Sequence, residues 1–187
     1  MIEKNKLAVS LFLASESVFF IILILSFIYF RSVWLHGSAP NPADHLKPLT
    51  TGLFSLALIS SSGTVWFAER SAKRGHRRAL VAGLIMTIAL GIIFLIGQGI
   101  EYADLIRSKV TISQNLFGTT FFTLTGFHAL HVIVGLTMLS ILLGLSILRR
   151  DKRTSDRSVG SIALYWHFVD AVWIVIFTIV YIGTVVL

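Results

Sequence analysis

Five long runs of apolar residues, separated by short polar stretches, dominate this chain. The runs cover residues 7–30, 49–68, 79–100, 116–148 and 159–187. A run of about 20 apolar residues is long enough to cross a bilayer as an α-helix. The pattern therefore predicts an all-α membrane protein, a bundle of five transmembrane helices that form a single transmembrane domain over residues 1–187.

Composition supports the membrane assignment. Hydrophobic residues make up 55% of the chain, charged residues only 13%, and the mean hydropathy is +0.83. A soluble domain of this length cannot bury so much apolar surface. The first run is too long for a signal-peptide core and carries Glu16, so we expect it to stay in the mature protein. The chain has no cysteine, which excludes disulfides, iron–sulfur clusters and thiolate metal sites.

The basic residues are distributed unevenly between the two sides of the predicted bundle. Twelve Lys and Arg residues lie on the side of the N-terminus and four on the other side. By the positive-inside rule, the N-terminus is expected in the cytoplasm and the C-terminus outside. The high isoelectric point, about 10.2, is therefore a topology signal. We expect no nucleic-acid partner.

The connections between the runs differ in composition. Residues 31–48 contain all three prolines and are expected to form an irregular outer connection. Residues 69–78 and 149–158 are short and basic, and are expected to lie against anionic lipid headgroups. Residues 101–115 form a longer connection of mixed charge.

Small residues indicate where helices approach one another. Gly83, Thr87 and Gly91 recur at every fourth position of the third run, and residues 60–64 place three serines, a glycine and a threonine together in the second. Small side chains let transmembrane helices pack closely. Both groups are interpreted as packing surfaces.

Several polar residues interrupt the apolar runs. Glu16 lies about 14 Å along the first helix, close to the middle of the membrane. His128 and His131 lie at a comparable depth in the fourth helix, which runs antiparallel to the first. We therefore expect Glu16 to stay protonated or to pair with one of the two histidines.

Two further polar groups lie in the third and fifth helices. Gln98, Glu101 and Tyr102 form a cluster at the outer end of the third helix. In the fifth, Asp170 is the only charged residue between positions 159 and 187, and His167 lies one turn away on the same face, with Trp173 beside it. A carboxylate at membrane depth is costly unless it is paired, so we interpret the His167 and Asp170 side chains as a pair that holds helices together.

Three interpretations of these polar groups compete. Two histidines and an acid can bind a metal, but no third or fourth ligand has a recognisable spacing. The acids and histidines can relay protons, but a relay needs a continuous path that a sequence does not reveal. Structural pairs between helices, or sites for lipid headgroups and a neighbouring subunit, are the favoured interpretation. We expect no catalytic residue and no metal site in this chain.

The segments that carry these residues resemble subunit III of the haem–copper respiratory oxidases, the cytochrome c oxidase subunit 3 family. The similar segments occur in the family's order and touch all five helices: LFLASESVFF at 11–20, SSGTV at 61–65, LGIIFLIGQGIEY at 90–102, FGTTFF at 117–122, TGFHALHV at 125–132 and YWHFVDAVW at 165–173.

The resemblance implies a subunit without a redox centre, packed mainly against subunit I, which holds haem and copper with subunit II. Subunit IV and a respiratory supercomplex are further expected partners. Glu16 matches the family's carbodiimide-reactive acid. The family binds phospholipids, supports proton uptake and protects the catalytic subunit during turnover. The enzyme it serves reduces dioxygen to water and pumps protons in aerobic respiration, here in a bacterial inner membrane.

The resemblance also leaves alternatives open. Longer members have seven helices, and this chain is similar to the short five-helix bacterial form, so the second wall of the family's lipid-filled cleft is expected from another subunit or from lipid, or is missing. The motif formed by Gln98, Glu101 and Tyr102 favours a cytochrome c oxidase over a quinol oxidase, the nearest rival. An accessory subunit of nitric oxide reductase is a further relative. From another class, a proton-coupled transporter would act alone.

Overall fold

The computed structural model describes residues 2–35, 46–113, 116–148 and 152–183, with side chains over 8–31, 33, 46–113, 116–148 and 158–183. These residues form five α-helices: α1 Ile2–Leu35, α2 Pro48–Lys73, α3 Arg77–Arg107, α4 Leu116–Leu148 and α5 Lys152–Phe177. A π-helical turn, Thr178–Ile182, continues α5. Each of the five helices contains a stretch long and apolar enough to cross a membrane. The predicted fold class is thereby confirmed.

The helices extend beyond the apolar runs that predict them. α2 continues past residue 68 to Lys73, and α3 continues past residue 100 to Arg107. The predicted connections 69–78 and 101–115 were therefore too long. Hydropathy marks where the apolar part of a helix ends, but charged residues such as Glu, Lys and Arg are good helix formers and carry the helix into the polar layer. α4 has the predicted bounds.

Some predictions fall outside the described residues. Pro40 and Pro42 lie in the segment 36–45, which is outside them, while Pro48 occupies the first turn of α2. Residues 149–151 of the basic connection and residues 184–187 at the end of the fifth run are also outside. The orientation of the termini across the membrane stays a prediction.

α2 and α3 form a tight antiparallel hairpin. Gly75 turns the chain with a φ of 73°, in the left-handed region that glycine adopts at little cost. Further along the hairpin, a methyl group at Gly83 would lie 2.9 Å from Cβ of Ala68, so the two helices are in backbone contact there. One turn on, the Thr87 and Thr64 hydroxyls are 2.7 Å apart. The packing role predicted for Gly83 and Thr87 is confirmed.

α5 occupies a central position, against α2, α4 and α1. Its Trp166 is fully buried in a slot bounded by two glycines of neighbouring helices. A methyl group at Gly91 of α3 would lie 3.0 Å from the indole, and one at Gly135 of α4 would lie 2.8 Å from it. Large and small residues are thus matched across three helices, which fixes the depth of α5 in the bundle.

α1 is the least enclosed helix. Only 11% of its apolar window is buried, against 33–39% for the other four. Its outward side chains are aliphatic and aromatic, and include Leu11, Val18, Ile22, Leu25 and Tyr29. In a bilayer such a surface contacts lipid tails or another membrane protein.

Gly135→Ala is expected to destabilise the bundle by about 1–3 kcal/mol, because the added methyl group would overlap the ring of Trp166. The measurement is the free energy of unfolding by SDS titration in mixed micelles. Gly144→Ala in the same helix is the control, since nothing lies within 4 Å of the added carbon. Equal effects of the two substitutions would show that the glycine slot does not position α5.

Candidate functional site

Glu16 of α1 pairs with His131 of α4. Glu16 Oε2 lies 2.9 Å from His131 Nε2, and the two side chains are 21% and 14% exposed. The other ring nitrogen, Nδ1, lies 2.7 Å from the carbonyl oxygen of Phe127. A carbonyl only accepts hydrogen bonds, so Nδ1 carries a hydrogen. One proton is then shared between Glu16 and Nε2, and the pair is neutral overall whichever atom holds it.

This neutrality explains how Glu16 is tolerated in the first helix. An isolated carboxylate at membrane depth would carry a large desolvation cost, whereas a paired group offsets most of that cost by its contact. Of the two histidines that the sequence offers as partners, the geometry selects His131. The contact joins α1, the least enclosed helix, to α4.

His128 lies one turn away from His131 in a different environment. It is 1% exposed and stacks on Trp173, with ring centroids 4.9 Å apart and an interplanar angle of 26°. Phe20 and Phe94 present their rings at steep angles to it. Within the described part of the chain, neither ring nitrogen of His128 has a hydrogen-bond partner. His128 therefore serves as an aromatic packing element between α1, α3 and α5.

Asp170 of α5 is bonded to α2. The Ser62 hydroxyl donates to Asp170 Oδ2, and Ser62 Oγ lies 3.1 Å from His167 Nδ1. Asp170 is 4% exposed, and its second oxygen, Oδ1, has no hydrogen-bond partner among the described residues. The sequence groups Asp170 with His167 on one helix face, and the structure joins the two side chains through a serine of the neighbouring helix.

Two tryptophans of α5 also bond to serines of α2. Trp173 Nε1 donates to Ser55 Oγ and Trp166 Nε1 donates to Ser61 Oγ, both at 2.8 Å. Each serine in turn donates its own hydrogen to a carbonyl of α2, at Thr51 and Leu58. The hydroxyl thus satisfies a backbone acceptor with its hydrogen and an indole with its lone pair, so that no polar group of these contacts is left unpaired.

Glu101 is the centre of a third polar contact. Tyr181, in the π-helical turn, donates to Glu101 Oε2 at 2.6 Å, and Thr51 of α2 donates to Oε1 at 2.9 Å. Gln98 Nε2 lies 3.4 Å from Oε2. Glu101 is 7% exposed. The acid therefore ties α3 to α2 and to the end of α5 at once.

Tyr102 faces a different helix from its neighbour Glu101. Its hydroxyl is 2.7 Å from Thr125 Oγ1 of α4. The Thr125 hydroxyl donates to the carbonyl of Phe121, so Tyr102 donates to Thr125. The cluster that the sequence predicts at Gln98, Glu101 and Tyr102 is thus divided between two interfaces.

The hydroxyl partners of the acids and indoles were not predicted as such from the sequence. They are Thr51, Ser55, Ser61, Ser62 and Tyr181, of which Ser61 and Ser62 belong to the group 60–64 that was predicted only as a packing surface. One signal was available, because positions 51, 55 and 62 fall on a single stripe of a helix with 3.6 residues per turn. Nothing comparable marks Tyr181, whose position depends on the π-helical turn.

No three His, Cys, Asp or Glu side chains come together as a metal-holding group within the residues that the structure describes. The polar side chains can join helices through hydrogen bonds, and the paired groups can share a proton. The three acids Glu16, Glu101 and Asp170 each bond to a side chain of another helix.

The fold and these contacts define the class of protein. It is a multi-pass membrane protein in which acidic side chains within the membrane bond neighbouring helices together. The chain belongs to the cytochrome c oxidase subunit III family, which it matches over residues 2–185. The resemblance inferred from the sequence segments is confirmed.

Named relatives agree with the family. The chain is 40% identical over 179 residues to cytochrome c oxidase subunit 3 of Synechocystis sp., covering 92% of this chain and 73% of the relative. It is 37% identical over 174 residues to cytochrome c oxidase subunit 3 of Corynebacterium diphtheriae, covering 91% and 83%. A probable cytochrome c oxidase subunit 3 of Mycobacterium leprae is 37% identical over 171 residues.

The contributions of Glu16 and His131 to the free energy of unfolding are expected to be coupled. Glu16→Ala and His131→Ala should each lower the free energy of unfolding by about 1–3 kcal/mol, because each leaves the partner's polar group unsatisfied. The double variant should lose less than the sum, with a coupling energy of about 0.5–3 kcal/mol. SDS titration of the four proteins measures the cycle.

Ser15→Ala is the control for this cycle, since the exposed Ser15 hydroxyl bonds only to the carbonyl of Phe12 in its own helix. It should combine additively with His131→Ala. Additive losses for Glu16→Ala and His131→Ala would contradict the pairing.

Proposed function

We propose that this chain is the accessory subunit III of a proton-pumping terminal oxidase, a cytochrome c oxidase that reduces dioxygen to water. It holds no redox centre of its own. Haems and copper belong to the partner subunits, with subunit I as the main contact and subunit II, a subunit IV and a respiratory supercomplex as further partners. Family membership over residues 2–185 carries this proposal.

The polar contacts support a scaffold role. Glu16, Glu101 and Asp170 are each engaged by side chains of other helices, so their hydrogen-bonding capacity serves to hold the bundle in one shape. A rigid bundle of this kind can brace a catalytic subunit, prolong its activity during turnover and support its proton uptake. Those three effects are the function that we assign to the chain.

The outward face of α1 is the proposed surface for phospholipid and for a neighbouring subunit. Its aliphatic side chains, among them Ile22 and Leu25, are more than half exposed. Lipid tails and transmembrane helices are the partners that such a surface accepts in a bilayer. Bound phospholipid is therefore part of the proposal.

We place the protein in the bacterial inner membrane, with the N-terminus in the cytoplasm. The uneven distribution of Lys and Arg supports this orientation. The turn between α2 and α3, with Arg70, Lys73, Arg74 and Arg77 around it, would then face the cytoplasm.

A tagged form of this chain, extracted in mild detergent, is expected to bring haem with it. The reduced-minus-oxidised optical spectrum of the purified material should contain haem bands, and oxygen uptake should follow addition of reduced cytochrome c. Uptake with a quinol alone would assign the chain to a quinol oxidase. The control is the same purification from cells that carry the untagged chain.

A colourless homogeneous preparation would contradict the assignment if crosslinking in intact membranes before extraction also captured no haem protein. Capture of a haem protein only after crosslinking would instead show that detergent separates the complex.

A further inference from the structure

The Asp170 carboxyl has a hydrogen-bonded connection that a purely structural contact does not need. Ser62 Oγ touches Asp170 Oδ2 and His167 Nδ1 at the same time. The serine has one hydrogen and gives it to the carboxylate, so it accepts the hydrogen of His167 Nδ1. Imidazole, hydroxyl and carboxyl thus form one line of donors and acceptors across the α2–α5 interface.

Glu69 lies on the same face of α2 as Ser62, towards the end of the bundle that carries the basic turn at residues 74–76. It lies seven residues after Ser62, which is two helical turns or about 10 Å along α2. Its Oε1 would be 3.6 Å from a methyl group at Gly160, which precedes His167 by seven residues on α5. The two helices therefore keep these acidic and imidazole groups on one shared face.

The path is accessible at the Glu69 end, which is the expected cytoplasmic end, and is closed at Asp170. Glu69 pairs with Lys73 at 2.7 Å, and their side chains are 23% and 64% exposed, as expected at the rim of the membrane. Beyond Asp170, the interface is filled by Leu58 and Trp173, which are fully buried. Asp170 itself is 96% covered and keeps Oδ1 unpartnered among the described residues.

We propose that Asp170 is a proton-exchanging carboxyl, reached from the basic end of the bundle through His167 and Ser62, with the charge of Glu69 at the rim of this path. The proton on His167 Nδ1 moves to Ser62 Oγ while the Ser62 hydroxyl proton moves to Asp170 Oδ2. His167 Nε2 takes one proton from a hydronium ion in the water at the rim of the membrane, since Glu69 is a carboxylate paired with Lys73. One proton enters, one reaches Asp170, and Ser62 keeps a single hydrogen.

Asp170 would then have two roles, as a contact between helices and as a proton-binding site. As a helix contact, Asp170 holds α5 against α2 in either protonation state, because Oδ2 accepts from Ser62 when it is ionised and donates to Ser62 when it is protonated. As a proton site, it changes the charge inside the bundle in response to one side of the membrane only, because the Leu58–Trp173 packing closes the other side. The proposal goes beyond the accessory role and does not depend on the electron donor.

The test is time-resolved infrared spectroscopy of the purified complex in lipid after a pH jump. The band of the protonated Asp170 carboxyl, assigned by its loss in Asp170→Asn or by its shift in Asp170→Glu, reports gain and loss of the proton. Ser62→Ala and His167→Phe should each slow this change by about ten-fold or more, because each removes a link in the path. Ser62→Thr, which keeps the hydroxyl, should restore the rate.

Ser61→Ala is the matched control, since the Ser61 hydroxyl is also buried between α2 and α5 but bonds to Trp166. It should leave the rate unchanged. A wild-type rate in Ser62→Ala, an equal slowing in Ser61→Ala, or no proton exchange at Asp170 in the wild type would each overturn the proposal. The haem content of the same preparations reports separately on the accessory role.

Discussion

The fold depends on hydrogen bonds between α2 and α5, because a bilayer removes the force that holds helices together in water. Lipid tails are as apolar as the helix surfaces, so association relies on close packing and interhelical hydrogen bonds. α2 supplies hydroxyls at Ser55, Ser61 and Ser62 to two indoles and a carboxyl of α5. The central place of α5 follows from these contacts and from the glycine slot around Trp166.

The bilayer also explains why the acidic side chains bond between helices. Glu16 shares a proton with His131, and Glu101 receives hydroxyl donors from α2 and from the end of α5. Each acid thus joins helices that are distant in sequence, and each has partners that reduce the cost of burying it. A bundle built in this way is held in one shape. Among the described residues, Asp170 is the acid with a buried oxygen that has no hydrogen-bond partner, and it is where proton exchange is proposed.

The sequence predicts much of this architecture, and it does so where the physical signal is local. Apolar length predicts the five helices, and the spacing of Gly83 and Thr87 predicts close packing. Which histidine meets Glu16 depends on the rotation of two helices, so residues three positions apart were both candidates. The partners of Asp170 and Glu101 were missed because a hydroxyl on an apolar helix also fits simple packing. The π-helical turn that brings Tyr181 to Glu101 has no signature in hydropathy.

Removal of three interhelical hydroxyls tests the central claim most directly. The variant with Ser55, Ser61 and Ser62 all changed to Ala is compared with one in which Ser15, Ser17 and Ser140 are changed, whose hydroxyls bond to carbonyls of their own helices. In SDS titration, the first variant should lose about 2–5 kcal/mol of unfolding free energy, since an interhelical hydrogen bond in a membrane contributes roughly 0.6–1.7 kcal/mol. The second should lose less than about 1 kcal/mol. Equal losses in the two variants would contradict the claim that α2 hydroxyls hold α5 in place.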